Sequence, residues 1–175
     1  IYTLSKGISW ITFQNECAAI RIDDQLCKQG KGITLYSSFK QNLKGDKIYT
    51  VFEDSEGDEW ILTNKGISII GKKQVDSDFP FQYIKEADGI IYLVSQSDKL
   101  ASYNFKTRQF KFIEIPYHVS MINEVKKFDS NTLLLATDNG LIIYKIKEKE
   151  FQLIDIRTST QPSNVVQSVY QDHYK

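Results

Sequence analysis

Two tight groups of carboxylates stand out in the sequence, Asp23-Asp24 and the run Asp54, Glu56, Asp58 and Glu59. A pair of such groups facing one cleft is the acid/base equipment of a hydrolase. Here the second group sits in "EDSEGDE", where Asp, Ser and Gly bend the chain by bonding their own backbone, so Asp54 reads as a turn former. His118 and His173 are the only histidines, a poor basis for a Ser-His-Asp site. Cys17 and Cys27 lie ten positions apart; they either close a small disulfide loop in an oxidising compartment or remain two thiols. No ligand pair has metal-site spacing. Neither catalysis, nor a metal, nor a cofactor is expected.

Binding chemistry is better represented. Tyr117, His118, Arg157, Asn64 and Asp138 bring an aromatic plane, an imidazole, a guanidinium, an amide and a carboxylate. Such groups hold sugar rings and their hydroxyls, or an acidic sugar. The alternative is that they belong to solvated loops whose aromatic packs locally. What decides is the set of elements that carries them.

At 175 residues the chain is long enough for one domain with a real core. The 22 Lys and Arg are balanced by 22 Asp and Glu, so no electrostatic attraction to nucleic acid or to an anionic membrane surface is expected. No apolar run reaches the roughly 18 residues of a spanning helix. The opening at Ile1 reads as mid-strand sequence, which suggests a segment of a larger protein.

Amphipathic helical patterns are missing, and the segments that stand out are short, β-branched and aromatic, bounded by Gly, Asn, Asp and Ser. An all-β fold follows, with strands at Ile48–Glu53, Glu59–Thr63, Ile67–Ile70, Ile90–Ser95, Leu100–Asn104, Phe110–Ile115, Thr132–Thr137, Leu141–Ile146, Phe151–Ile156 and Val165–Gln171. Repetition narrows it further. In "YNFKTRQFKFIEI" and "YKIKEKEFQLIDI" the pairs Tyr103 and Tyr144, Phe110 and Phe151, Ile113 and Ile154, and Ile115 and Ile156 recur 41 positions apart. "GDEWILT", "GIIYLVS" and "NTLLLAT" each run from a turn residue through a large central residue (Trp60, Tyr92, Leu134) to a small hydroxyl (Thr63, Ser95, Thr137).

A repeat of ~40 residues built from four short strands is a β-propeller blade. The chain divides into about four blades of antiparallel strands, approximately 1–47, 48–78, 79–116 and 117–160, with 164–172 as the first strand of a further blade. "TLSKGISWI" matches "TNKGISII", so the first blade is entered after its first strand; its excess length is assigned to an insertion within 15–42. Trp60 and Trp10 fall at inter-blade core positions. In propeller geometry the inter-blade connections and the turns between second and third strands share one face. That face would carry Asn64-Lys65, Asp76–Phe79, Gln96–Asp98, Tyr117-His118, Asp138-Asn139 and Arg157–Asn164.

"VFEDSEGDEWILTNKG" and "QPSNVVQSVYQD" resemble the regulator-propeller repeat: a strand, Glu-Asp, a Ser/Gly turn, a Trp-containing strand, Thr and a turn ending in Gly, with a Pro-Ser-Asn linker. The second blade of that pattern has lost both Glu-Asp and Trp. The resemblance implies a segment of the periplasmic sensor region of a Bacteroidetes hybrid two-component protein, whose parent is anchored in the membrane and carries a histidine kinase. It implies regulation of carbohydrate use, with a glycan-derived oligosaccharide as signal. No Gly-rich nucleotide-binding stretch or phosphoacceptor-histidine context occurs in the sequence, so the segment is expected to sense or to assemble. Three readings stand: a ligand-sensing segment, a purely architectural segment packing on neighbouring blades or in a homodimer, and a propeller enzyme acting on carbohydrate. Closure of the blades, through the terminal strand or through a second chain, is left open.

Overall fold

The structure is a computed structural model that describes residues 1–13, 18–37, 43–71, 77–87, 89–95, 97–104, 107, 109–160, 162–170 and 172. These residues form four antiparallel sheets, three of four strands and one of three, the small meandering sheets of propeller blades. The chain divides into two compact units, Ile1–Gln82 and Tyr83–Lys175.

In the first unit, β1 (Tyr2–Thr3), β2 (Ile8–Thr12), β3 (Ala18–Asp23) and β4 (Ile33–Ser37) pair in that order, and β3 leads into a one-turn helix α1 (Asp24–Cys27). Asp23 caps α1 by accepting from the backbone N–H groups of Gln25 and Leu26, at 3.1 Å each. The matches of Thr3 with Thr63 and of Gly7 with Gly66 make β1 and β2 the second and third strands of a blade. β3 is then its fourth strand, and β4 an extra strand at the outer edge. The excess residues therefore widen the sheet outward.

The second sheet holds β5 (Ile48–Glu53), β6 (Glu59–Thr63) and β7 (Gly66–Ile70). Its first turn is organised by one side chain. Asp54 Oδ1 accepts from the N–H groups of Glu56 and Asp58 at 3.0 Å each, while Oδ2 accepts from Trp60 Nε1 at 2.8 Å. The same carboxylate thus folds the turn and satisfies the indole of a Trp with no exposed surface. Full burial of such a ring is worth on the order of 5 kcal/mol before entropy is counted. At the next turn Gly66 has φ +126°, and a Cβ there would stand 2.0 Å from the Ser77 carbonyl oxygen. Only glycine fits.

The two sheets of this unit pack through Trp10, Ala19, Leu43, Val51 and Ile61, with Tyr2, Ile8, Tyr36 and Ile70 around them. An ion pair is set into that contact. Arg21 Nη2 lies 2.6 Å from Glu59 Oε1, and Trp10 Nε1 donates to Glu59 Oε2 over 2.6 Å.

The second unit contains β8 (Tyr83–Ala87), β9 (Ile90–Val94), β10 (Leu100–Asn104) and β11 (Gln109–Ile113), followed by β12 (Ile122–Asp129), β13 (Thr132–Thr137), β14 (Gly140–Lys145) and β15 (Glu150–Ile154). Its core joins Tyr92, Val94 and Leu100 of one sheet to Ile122, Val125, Leu133, Leu135, Ile142 and Tyr144 of the other. The first strands are tied directly, Tyr83 Oη donating to Asn123 O over 2.6 Å.

Two readings need amendment. The first strands β8 and β12 are absent from the sequence-derived set, because "YIKEA" and "INEVKKFD" carry Lys and Glu where an apolar run is sought. The segment Val165–Gln171, expected as a strand, forms no ladder among its described residues; Gln171 lies outside them. It runs extended beside β12 and is held mainly by side chains. Val166 N donates to Thr137 O (2.8 Å), Asn123 Nδ2 to Val166 O (2.8 Å), Val169 N to Glu124 Oε2 (2.7 Å) and Lys126 Nζ to Val169 O (3.2 Å).

Candidate functional site

Three of the blades turn between their second and third strands around a hydroxyl. Thr63 Oγ1 donates to Gly66 O over 2.8 Å and Thr137 Oγ1 to Gly140 O over 2.7 Å. Ser95 Oγ accepts from Lys99 N at 3.0 Å. The small hydroxyls repeated in the sequence are therefore turn clamps. The residue after each Thr faces the linker entering the blade. Asn64 Oδ1 accepts from the backbone N–H of Asp46 and Lys47 at 3.1 Å each, and Asp138 accepts from Ser120 N at 3.1 and 3.3 Å.

In the second unit the loops nominated for binding are gathered by two asparagines. Asn139 Nδ2 donates to His118 O (2.9 Å), Asn164 Nδ2 to Asn139 Oδ1 (3.1 Å), and Asn164 Oδ1 accepts from Ile156 N (2.9 Å). This brings the His118, Asp138 and Arg157 segments to one end of the last blade. The side chains there have prior engagements. Tyr117 Oη donates to Phe151 O over 3.1 Å, and Arg157 forks onto Asp155, with Nε 2.9 Å from both carboxylate oxygens and Nη2 also bonded. That pairing lowers the Asp155 pKa to about 2. The His118 side chain is exposed.

Asn64 belongs to the first unit. Its Nδ2 donates to Asp46 Oδ1 over 2.6 Å, and Lys65 Nζ reaches Asp46 Oδ2 at 3.0 Å. Lys65 first, then Asn64, holds the Asp46 carboxyl below the usual range. Asp76, Gln96, His173 and Cys17 lie outside the described residues; Cys27 is exposed. Of the carboxylates considered for hydrolysis, Asp23 caps α1, Asp54 folds a turn and Glu59 pairs with Arg21. Among the described residues no three His, Cys, Asp or Glu side chains form a metal-holding group, and no helix is long and apolar enough to cross a membrane.

A second array went unnoticed in the sequence because it lies on the first strands. Lys85 pairs with Tyr92 and Lys126 with Leu134, and Tyr92 and Leu134 are the equivalent central residues of their second strands. Lys85 and Lys126 therefore occupy the same repeat position on adjacent first strands. The match of "VFED" with "VYQD" gives Tyr170 that position in the following segment, and Lys126 Nζ stands 5.3 Å from its ring centroid. Lys85 is half-buried and its pKa is lowered by desolvation, with Lys126 adding to the shift and Glu124 opposing it. The recurring spacing of these residues was the available signal.

No protein-family model matches the chain, and no curated protein does. Solved structures match in fold. An extracellular domain assigned to a one-component system of B. thetaiotaomicron aligns with 98% of this chain and 24% of its own, at a TM-score of 0.72 and 19% identity. The extracellular domain of a hybrid two-component system from B. thetaiotaomicron gives 0.68 at 20% identity, over 98% of this chain and 24% of its own. Virginiamycin B lyase from Staphylococcus aureus gives 0.69 at 19% identity, over 90% and 55%. What is shared is the propeller fold. The chain spans about a quarter of the length of the two B. thetaiotaomicron domains it resembles.

Proposed function

We propose that the chain is a non-catalytic segment of an extracytoplasmic sensor, belonging to a hybrid two-component protein that responds to a glycan-derived oligosaccharide in the periplasm. The observation that carries this reading is the alignment of 98% of the chain with two extracellular domains assigned to signalling systems, together with the turn chemistry of the regulator-propeller repeat at Asp54, Trp60 and Thr63. The parent protein would be anchored in the membrane and would phosphorylate through a kinase outside this segment. Within the second unit, the ligand would meet the end of the last blade bearing Tyr117, His118, Asp138 and Arg157; Asn64 of the first unit is a separate candidate contact. Binding would act by favouring one packing of blades over another, since a ligand shifts an equilibrium by its differential affinity for the two states.

A specific observation favours a second reading, that of an architectural segment. Asn64, Asp138, Tyr117 and Arg157 all use their polar groups on neighbours within the chain. In that case the partners are neighbouring blades or a second protomer, and the ligand binds elsewhere in the parent. Calorimetric titration of the 175-residue chain with a panel of neutral and acidic oligosaccharides separates the two. Saturable heat from a saccharide supports the sensor reading for this segment; silence across the panel, with light scattering showing a dimer, supports the architectural one.

A further inference from the structure

Glu53 and Glu59 face each other at the end of the β5–β6 hairpin, as directly paired residues of its ladder. Residues opposed in this way share one face of the sheet with Cβ atoms roughly 5 Å apart, and like charges there repel. Among the described residues, every hydrogen bond that the two carboxylates accept comes from the first sheet and the turn between β1 and β2. Ser5 N and Ser5 Oγ donate to Glu53 over 2.6 Å each. Glu59 takes Trp10 Nε1 of β2 at 2.6 Å, and from β3 the fork of Arg21, with Nη2 at 2.6 Å and Nε 3.0 Å from both oxygens. Lys6 adds an ammonium over the same hairpin, since a Cβ on Gly57 would stand 3.4 Å from Lys6 Nζ and 3.8 Å from Glu53 Oε1. Glu59 is buried, so its charge is tolerated only while its donors are in place.

We propose that Glu53 and Glu59 act as one two-point latch between the first and second sheets, so that the Ser5 and Arg21 contacts form and open together. Docking holds two like charges side by side with little water between them, which is unfavourable unless both sets of donors are present. Removal of either set withdraws support from the docked arrangement, and the other contact then opens more often. The joint therefore has two discrete arrangements, docked with both carboxylates engaged or parted with both hydrated. A neighbouring sheet with an apolar strand such as β13, Thr132–Thr137, offers neither carboxylate a donor and cannot take the place of the first sheet. The latch belongs to the joint itself and holds whether or not the chain binds a saccharide.

Hydrogen exchange of the full 175-residue chain, followed by NMR, reads each point separately: the Ser5 amide reports the Glu53 contact and the Trp10 indole N–H the Glu59 contact. Ser5→Pro strips both donors from Glu53 and suits the backbone, because Leu4 before it is extended, with ψ 179°. It is expected to speed exchange of the Trp10 indole about fivefold or more, the lower end of ordinary coupling between sites. Arg21→Met should do the same to the Ser5 amide. The amides of Ile61 and Leu135, inside β6 and β13, should exchange as in the wild type, which separates opening of the latch from general loss of stability. Glu53→Gln tests the paired charge: it should lower the urea midpoint of the wild type and raise that of Arg21→Met, where Glu59 has lost its counter-ion. Should Arg21→Met not fold, Ser5→Pro carries the test through the Trp10 indole. The latch is overturned by exchange that changes only at the substituted point, by an equal change at Ile61 and Leu135, or by a Glu53→Gln effect of one sign in both backgrounds.

Discussion

Asn64 and Asp138 occupy the same place in two blades, and each gives its side-chain oxygen to the backbone of the segment leading into its own first strand. The repeat conserves a task across two different side chains. Replacing Asp138 with Ala strands the Ser120 N–H and is expected to cost about 1 kcal/mol, the usual net value of a hydrogen bond. Asp138→Asn should recover most of it. Urea denaturation measures both, and a ligand affinity that falls in Asp138→Ala with stability unchanged would assign the residue to binding instead.

The Arg21–Glu59 pair makes a larger prediction. Glu59 stands where the equivalent residues of the other blades are Ile91 and Leu133, so a charge has been placed at an apolar core position. Arg21→Met leaves a carboxylate that is buried to within 5% of its side-chain surface, and the expected loss is about 3 kcal/mol. In the double variant Arg21→Met, Glu59→Gln, whose neutral amide oxygen can still accept from Trp10 Nε1, most of that loss should vanish. A double-mutant cycle in denaturant gives the coupling; additive losses would mean the pair contributes nothing as a pair.

Asp155 is expected to titrate near 2, because Arg157 and its own backbone bonds stabilise the charged form. The sign follows: a carboxylate whose folded pKa is depressed contributes stability above its unfolded pKa of about 3.9, and loses it as pH falls through the folded value. Carbon-detected NMR of the side-chain carboxyl follows the titration directly. In Arg157→Gln the midpoint should rise toward the ordinary carboxylate range.

Lys85 works in the opposite range. Its folded pKa is lowered, so between that value and about 10.4 the unfolded chain holds more protons and stability rises with pH. Tyr83, raised by burial and then by Glu124, acts against it at the alkaline end. The comparison is therefore between the wild type and Lys85→Met at each pH. The difference in denaturation midpoint should shrink as pH climbs from 8 toward 10, and a constant difference would show that Lys85 is not desolvated.

Strands two and three were legible because a blade covers both their faces, and "WILT" or "LLLAT" must then be apolar throughout. The first strands were not, since "YIKEA" and "INEVKKFD" interrupt the apolar pattern with lysines and carboxylates. The widened sheet of the first blade was legible only as surplus length. At the candidate site, the sequence placed the loops but not their duties. A Thr-Asp-Asn-Gly turn reads the same whether its carboxylate meets solvent or a neighbouring N–H; that distinction depends on Ser120, eighteen residues upstream.

The added strand β4 pairs only with β3 and so lies at the rim of its sheet. A repeat that gains residues there lengthens outward, like a fan rib extended at its tip. The inner strands keep their register, Trp10 keeps its partner, and the spacing from one blade to the next need not change. Variation between related chains can therefore collect at that margin at little structural expense, which leaves Leu26, Ile33 and Leu35, the exposed apolar side chains it carries, free to diverge independently of the interior.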